Sequence, residues 1–256
     1  AFYEKLRQAF PDAEIADCTH LLDLARYTKG AEEIEFLRGG VEQAEMAIAA
    51  LQETARVGRT ENEVYAAMLA AMIANGSEVP AMIMWSAGAP ETLASAGPPN
   101  ARPLERGDFI RVEVEGRYAG YCGQVTLMAV LGRIPDTYRE MWTIQQDAFA
   151  LCCQLARPGI TLGELATRTE AVAKNTPCRI RFLMHGRGLG DDAPIYIFSA
   201  GEEIKRWPLE ENASFIIKPM VIRDGHTDVV WGDSVVITAA GAQRLGTINP
   251  KIIELP

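Results

Sequence analysis

The stretch Gly107-Asp-Phe-Ile-Arg-Val-Glu-Val-Glu-Gly-Arg-Tyr-Ala-Gly-Tyr-Cys-Gly-Gln-Val-Thr126 decides the fold of this chain. It forms most of a β hairpin that we predict over residues 107–131. Two polar residues, Glu113 and Gln124, lie in this hairpin eleven positions apart (124 minus 113). The hairpin and these two positions guide the interpretation of the motifs that follow along the chain.

Further motifs follow the hairpin in a definite order. Together they resemble the creatinase/methionine aminopeptidase/prolidase family (peptidase M24), which has the pita-bread fold. The resemblance extends over about residues 28–248 and therefore covers most of the chain. The later motifs are His185-Gly-Arg-Gly-Leu-Gly190, Asp191-Asp-Ala-Pro194, Phe215-Ile-Ile-Lys-Pro-Met220 and Trp231-Gly-Asp-Ser-Val-Val-Ile-Thr-Ala-Ala-Gly-Ala-Gln-Arg-Leu245.

The same resemblance shows where this chain departs from the family pattern. Two divalent cations at short separation need several anionic oxygens, which the residues at the family's ligand positions do not supply here. We therefore predict no dinuclear metal centre and no other cofactor. The family's histidine before the hairpin is also missing, because that position falls near Ala96 in the loop Ser86–Arg102. The five ligand positions hold Glu113, Gln124, His185, Lys218 and Gly232.

Helical and strand patterns recur in two similar halves. From Gly30 apolar residues return every three or four positions, and the capping box Thr60-Glu-Asn-Glu63 opens a second helix that runs to Ala74. The pattern Arg-x-Gly-x-Thr-x-x-Glu occurs at Arg56–Glu63 and again at Arg157–Glu164, 101 residues later (157 minus 56). A chance match of two helix caps is the alternative to a duplication. The resemblance implies an α+β, pita-bread fold with two pseudo-symmetric helix-helix-strand halves around a curved antiparallel sheet.

The N-terminal region is interpreted separately from the remainder. Residues 1–27 are expected to be a linker, and residues 28–256 to form the pita-bread domain. The linker holds a short amphipathic helix, Phe2–Phe10, and a segment Ile15–Leu24 that we predict to be extended. Such a segment connects an extra N-terminal domain in some family members, so we expect a domain to precede residue 1.

Composition limits the possible partners. A net charge of −9 and a pI near 5.0 argue against nucleic acid, which needs clustered basic residues. The basic cluster Arg179-Ile-Arg181 is interpreted as a solvated strand face. No apolar run approaches 18 residues, which argues against a membrane span. Five cysteines without metal-site spacing favour reduced thiols and a cytoplasmic protein. The family resemblance implies a homodimer that takes a small-molecule substrate or ligand.

Three residues are the candidates for catalysis: Glu113, His185 and Lys218. The resemblance implies that Glu113 and Lys218 face each other across the site, either as a salt bridge that replaces the metals or as a base and a substrate clamp. His185 adjoins a glycine-rich turn and is either a structural group or a general acid or base. Further residues could line the pocket, although a core position is favoured for Trp85 and Trp231. A solvated position is favoured for the polar residues Gln124, Asp191 and Asp192.

Three functions are compatible with these residues. The first is a metal-independent, creatinase-like hydrolase acting on a C–N bond of a small amidine, guanidine or amide compound. The second is a non-catalytic ligand-binding or protein-interaction module on the aminopeptidase fold. The third, ranked lowest because Lys218 stands where a cation would bind, is a metal-dependent Xaa-Pro peptidase. An open pocket at Glu113 and Lys218 would favour an enzyme, and a sealed pair would favour a module.

Overall fold

The helices of the protein form the outer layer around one large sheet. The structure is a computed structural model and describes residues 2–79, 82–91, 93 and 96–256. The helices are α1 (Phe2–Ala9), α2 (Thr19–Tyr27), α3 (Ala31–Thr54), α4 (Glu61–Ala74), α5 (Asp136–Leu155), α6 (Leu162–Glu170) and α7 (Glu202–Lys205). A 3₁₀ turn, Ala171–Ala173, follows α6.

Within the described residues the strands make one nine-stranded sheet and one three-stranded sheet. The strands are β1 (Met82–Gly88), β2 (Phe109–Tyr118), β3 (Tyr121–Leu131), β4 (Arg179–Arg181), β5 (Leu183–Arg187), β6 (Asp191–Ile197), β7 (Ser214–Ile217), β8 (Met220–Ile222), β9 (Val229–Val230), β10 (Gly232–Thr238), β11 (Gly241–Arg244) and β12 (Ile253–Leu255). The large sheet has the order β1-β2-β3-β10-β7-β5-β6, with β11 paired to β10 and β12 to β3, and the small one has the order β4-β8-β9.

The predicted hairpin is strands β2 and β3. Tyr118 pairs with Tyr121, so the turn is the two residues Ala119 and Gly120. Both have positive φ angles, 49° and 82°, as a two-residue turn matched to the twist of a hairpin requires. This turn fixes the register and places Glu113 opposite Thr126. The hairpin prediction is confirmed.

The two halves of the chain repeat the same local structure. Thr60 caps α4, and Thr161 caps α6, each with the capping box predicted from the repeated motif. In the first half the Gly58 amide donates to Leu104 O at 2.8 Å, and in the second the Gly159 amide donates to Leu209 O at the same distance. The repeated motif therefore makes equivalent contacts in both halves, as the predicted pseudo-symmetric fold requires.

Helix α3 packs directly on the hairpin because glycines line the contact. A Cβ atom on Gly40 would lie 2.6 Å from the Gly123 amide nitrogen and 2.9 Å from Gly116 O. Backbone therefore meets backbone, and any larger residue would push the helix away. This contact holds β2 and β3 rigidly on their core face and leaves Glu113 on the opposite, concave face of the sheet.

The sequence prediction fails at one segment. Ile15–Leu24 is not extended throughout, because helix α2 begins at Thr19. The leucines of this helix are exposed, and it is anchored by Tyr27, which is buried in the core.

Two further features concern the cysteines and the helices. None of the five cysteines, all of which the structure describes, is in a disulfide, and Cys122 and Cys152 are buried. In the part of the chain that the structure describes, no helix is long and apolar enough to cross a membrane.

Candidate active site

The concave face of the large sheet carries a row of residues that cross-strand pairing places side by side. Met84 of β1 lies opposite Glu113 of β2, which lies opposite Thr126 of β3. Thr126 in turn lies opposite Gly232 of β10. Directly opposed residues share a face of the sheet. Residues from strands far apart in sequence therefore meet in one row, with Glu113 and Thr126 as its polar members.

Lys218 and Glu113 form an ion pair in this row. Lys218 follows β7, where its amide donates to Leu183 O at 3.1 Å, and its side chain crosses to the Glu113 carboxylate. The Gln124 side-chain amide donates to the same carboxylate at 3.1 Å. The Lys218 side chain is 5% exposed and the Glu113 side chain 17% exposed. The predicted contact between the two residues is present.

Gly232 is coupled sterically to Lys218. A Cβ atom at position 232 would overlap Lys218 Cβ and would lie 2.6 Å from Ile217 O. One of these neighbours is backbone, so a different rotamer of Lys218 would not make room. The lysine and the glycine at two of the family's ligand positions are therefore compatible with each other, and a carboxylate at position 232 is incompatible with this backbone.

The residues present do not fit a dinuclear metal centre. Of the five positions only Glu113 and His185 offer a metal ligand of the usual kind, and Lys218 adds a positive charge between them. Among the described residues no group of three or more His, Cys, Asp or Glu side chains is arranged to hold a metal ion. We derive no chemical step through a metal.

His185 of β5 is buried beside this row and is held neutral. Burial, and next the positive charge of Lys218, lower the pKa of His185 to about 4. Its Nδ1 atom lies 3.2 Å from a carboxylate oxygen of Asp191 and 3.3 Å from Gly186 O. A group with so low a pKa is a weak base at neutral pH, so His185 serves better as a neutral hydrogen-bonding group than as a proton shuttle.

The two aspartates after the glycine-rich turn lie in separate ion-pair clusters. Asp191 is largely exposed and contacts Arg187, whose other partner is Glu115. Asp192 is buried and pairs with Arg26 and Lys29, the latter at 3.1 Å. Neither aspartate lines the pocket at Glu113. The solvated position favoured from sequence is wrong for Asp192 and also for Gln124, because both are buried with hydrogen-bonding partners.

Both candidate tryptophans belong to the core. Trp85 Nε1 donates to Glu61 Oε2 at 2.9 Å, and its side chain is buried. Trp231 is fully buried against Phe149, with ring centroids 4.8 Å apart. The structure therefore places these residues behind the sheet surface that carries Glu113, in the position favoured for them from sequence.

A pocket of about 330 Å³ opens onto Glu113 and remains unfilled by side chains. A larger concavity of about 570 Å³ lies beside α6 and α7, but none of the predicted site residues lines it. The smaller pocket is therefore the candidate active site. Sequence reasoning missed most of the lining, although the alternation of Arg111 with Glu113 along β2 was a usable signal. The pocket is lined by Met84, Ala96, Arg111, Glu113, Arg181, Phe198, Met220 and Asp228.

Two buried polar atoms beside the ion pair have no hydrogen-bond partner among the described residues. They are Gln124 Oε1 and Thr126 Oγ1, both on the hairpin. Buried polar atoms are normally satisfied by protein, ligand or water. These two oxygen atoms could therefore form hydrogen bonds with a ligand or a water molecule next to the pocket.

Comparison with known proteins identifies the family. The sequence profile of metallopeptidase family M24 matches residues 35–239, and the chain belongs to this family. It is 29% identical over 237 residues to an Xaa-Pro dipeptidase of Pyrococcus furiosus, covering 89% of this chain and 65% of that protein. An Xaa-Pro dipeptidase of Pyrococcus horikoshii is 25% identical over 255 residues, covering 98% of this chain and 72% of the relative.

Solved structures agree on the fold. An X-Pro aminopeptidase from Thermotoga maritima superposes with a TM-score of 0.86 at 23% identity, covering 99% of this chain and 72% of that one. At this identity the likeness shows the fold alone. The predicted pita-bread fold is confirmed.

The comparisons correct the functional ranking drawn from sequence. A creatinase-like hydrolase of amidines or guanidines was placed first, a non-catalytic module second and an Xaa-Pro peptidase last. That order is wrong, because the relatives that match most of this chain are named Xaa-Pro dipeptidases. The ranking failed because it gave the replaced ligand positions more weight than the remainder of the chain.

Proposed function

We propose that this protein is a peptidase that acts on short peptides, with dipeptides of the Xaa-Pro type as its first candidate substrates. The observation that carries the proposal is the similarity to Xaa-Pro dipeptidases over about nine tenths of the chain or more. The chain covers 65% of the Pyrococcus furiosus relative, so its activity and substrates remain part of the proposal.

The pocket at Glu113 supports this proposal by its size and chemistry. A volume of about 330 Å³ suits a small ligand rather than a folded protein. Its walls combine apolar side chains, Met84 and Met220, with charged groups, which suits the mixed surface of a dipeptide. The pocket therefore has both the space and the polarity for a short peptide.

The polar residues of the row have complementary roles in this proposal. The Lys218 ammonium can stabilise negative charge on the oxygen of a peptide carbonyl, in a site with limited access to water. The Glu113 carboxylate can orient a water molecule for attack, and neutral His185 can accept or donate a hydrogen bond. Gln124 holds the Glu113 carboxylate in place.

Hydrolysis of dipeptides tests the proposal directly. Purified protein would be incubated with Ala-Pro, Leu-Pro and Ala-Ala, with and without added manganese, and the release of free amino acids measured. We expect cleavage that Lys218→Met and Glu113→Gln each reduce at least tenfold, while Arg223→Met, a surface control, retains it. If none of the three peptides is cleaved, either with or without manganese, the peptidase proposal is refuted.

We also propose the domain bounds, the cellular location and the oligomeric state of the protein. We propose that residues 28–256 form the pita-bread domain and residues 1–27 its linker, that the protein is cytoplasmic, and that it is a homodimer. The reduced cysteines support the cytoplasm, and family resemblance supports the dimer. Light scattering that gives the mass of one 28.0 kDa chain would refute the dimer.

A further inference from the structure

Four charged residues line the pocket at Glu113: two arginines, Arg111 and Arg181, and two carboxylates, Glu113 and Asp228. Glu113 is paired with Lys218, and Asp228 lies 3.8 Å from Arg111. Each carboxylate of the lining thus has a cation beside it, whereas Arg181 lines the pocket without a carboxylate partner in the described part of the chain. With Lys218, which lies next to the lining and pairs with Glu113, three cations accompany two carboxylates here, in a protein whose overall charge is −9. The group that would balance Arg181 is an anion brought by the ligand.

The position of Arg181 is fixed by an aromatic ring. The Arg181 guanidinium carbon lies 5.2 Å from the centre of the Phe198 ring, a cation–π contact that leaves the nitrogen atoms available to donate. Phe198 itself has φ = 62°, a left-handed conformation that is costly for a bulky residue. Its amide donates to Phe182 O at 2.9 Å, which helps to hold it there. Strain at a pocket residue indicates a functional constraint.

A second arginine on the same strand provides a comparison. Arg179 and Arg181 are two residues apart on β4 and therefore share a face. Arg179 contacts Asp224 at 2.6 Å and lies outside the lining of the pocket at Glu113. Arg181 lies inside it and rests on an aromatic ring instead of a carboxylate. The two arginines of the cluster thus differ in what surrounds them, although the sequence pattern treats them alike.

We infer that Arg181 is a specificity-determining residue that binds the carboxylate of the ligand, while Met84, Phe198 and Met220 contact its apolar part. In naming the ligand a short peptide with a free C-terminal carboxylate, this inference rests on the proposed function. The assignment of a carboxylate itself rests only on the charges and geometry of the pocket. The guanidinium offers a planar set of donors that matches a carboxylate.

Paired probes with and without the carboxylate test the inference. Binding of Ala-Pro and Ala-Pro amide would be measured by calorimetry, together with 3-phenylpropionate and 3-phenylpropionamide as non-peptide probes. The proteins compared would be the wild type, Arg181→Met, Arg181→Lys and the matched control Arg179→Met. Arg181 is exposed on a short strand, so these variants should fold, and thermal melting would check this.

We expect each acid to bind the wild type about tenfold more tightly than its amide, the lower end of what a charge-assisted hydrogen bond contributes. Arg181→Met should abolish that difference without weakening amide binding, Arg181→Lys should keep part of it, and Arg179→Met all of it. Equal binding of acid and amide to the wild type would overturn the inference while leaving the peptidase proposal intact. Preference for 3-phenylpropionate without any binding of peptides would retain the carboxylate site and refute the peptide substrate. Failure of all four probes to bind would overturn the inference.

Discussion

Two glutamates on one face of strand β2 have similar partners and different surroundings. Glu113 pairs with Lys218 and borders the pocket, whereas Glu115, two residues later, pairs with Arg187 in the interior. The Glu113 side chain is 17% exposed, the Glu115 side chain 7%, and the Arg187 side chain 1%. Two buried ion pairs on the same strand can therefore have different roles. The sealed pair of Glu115 and Arg187 does not line the pocket, whereas Glu113 does and can meet a ligand there.

Breaking the sealed pair should have the largest effect on stability. Arg187→Met leaves Glu115 buried without its cation, and such a loss typically costs about 4 kcal/mol of the free energy of unfolding. Urea unfolding would measure it. The control Arg223→Met removes a surface pair with Glu140, at 3.1 Å, and should cost less than about 1 kcal/mol. Equal effects of the two variants would show that the interior position of Arg187 does not matter.

Breaking the pocket pair should cost somewhat less. Lys218→Ala leaves Glu113 with the Gln124 amide as partner and with access to the pocket, so we expect a loss of about 3 kcal/mol. The double variant Glu113→Leu/Lys218→Met should recover most of that loss, because no buried charge is left unpaired. Additive losses in urea unfolding, with no recovery, would mean that the two residues do not act as partners.

The free energy of unfolding as a function of pH tests the pocket pair through His185, because the positive charge of Lys218 lowers the pKa of His185. The pKa of His185 is about 4 in the folded protein, below its ordinary value of 6.5. Between these two values the unfolded chain binds a proton that the folded protein does not, so stability falls as the pH falls from 6.5 towards 4. We expect the wild type to lose about 2 kcal/mol more than His185→Gln between pH 7 and pH 4.5.

Asp233 also titrates in this range, and the comparison with His185→Gln removes its contribution. Burial raises the pKa of Asp233 from 3.8 to about 6, with Arg244 opposing the shift. Between these values the folded protein binds the proton, so Asp233 makes stability rise as the pH falls. Both proteins contain Asp233, and its contribution cancels in their difference. A wild-type-minus-variant difference that stays constant from pH 7 to 4.5 would contradict the assigned pKa of His185.

The smallest expected effect concerns strain beside the pocket. Phe198→Asn places a residue that tolerates a positive φ at a position where φ is 62°, and should raise the free energy of unfolding by about 0.5 to 1 kcal/mol. The same variant removes the ring beneath Arg181 and should reduce the preference for acids over amides. Urea unfolding and calorimetry measure the two effects. A destabilised variant would show that ring contacts outweigh the backbone strain.

Local sequence determined much of the fold and part of the candidate site. The hairpin 107–131 follows from strand residues and a two-residue turn, and the helix caps at Thr60 and Thr161 follow from side chains three residues apart. The alternation of charged and apolar residues from Arg111 to Arg117 places the charged side chains on one face of β2. These features depend on neighbours in the chain, so the sequence is sufficient to specify them.

Tertiary structure decided which of those charges meet and which enclose a pocket. Lys218 pairs with Glu113 although more than a hundred residues of chain separate them. Met84 and Arg181 also line the pocket, and the local sequence around them does not predict this. Helix α2 likewise depends on the burial of Tyr27. The physical reason is that cross-strand register, burial and charge balance are properties of the assembled sheet. The sequence could identify Glu113 and Lys218 through family resemblance, but the carboxylate-binding surface around Arg181 exists only after folding.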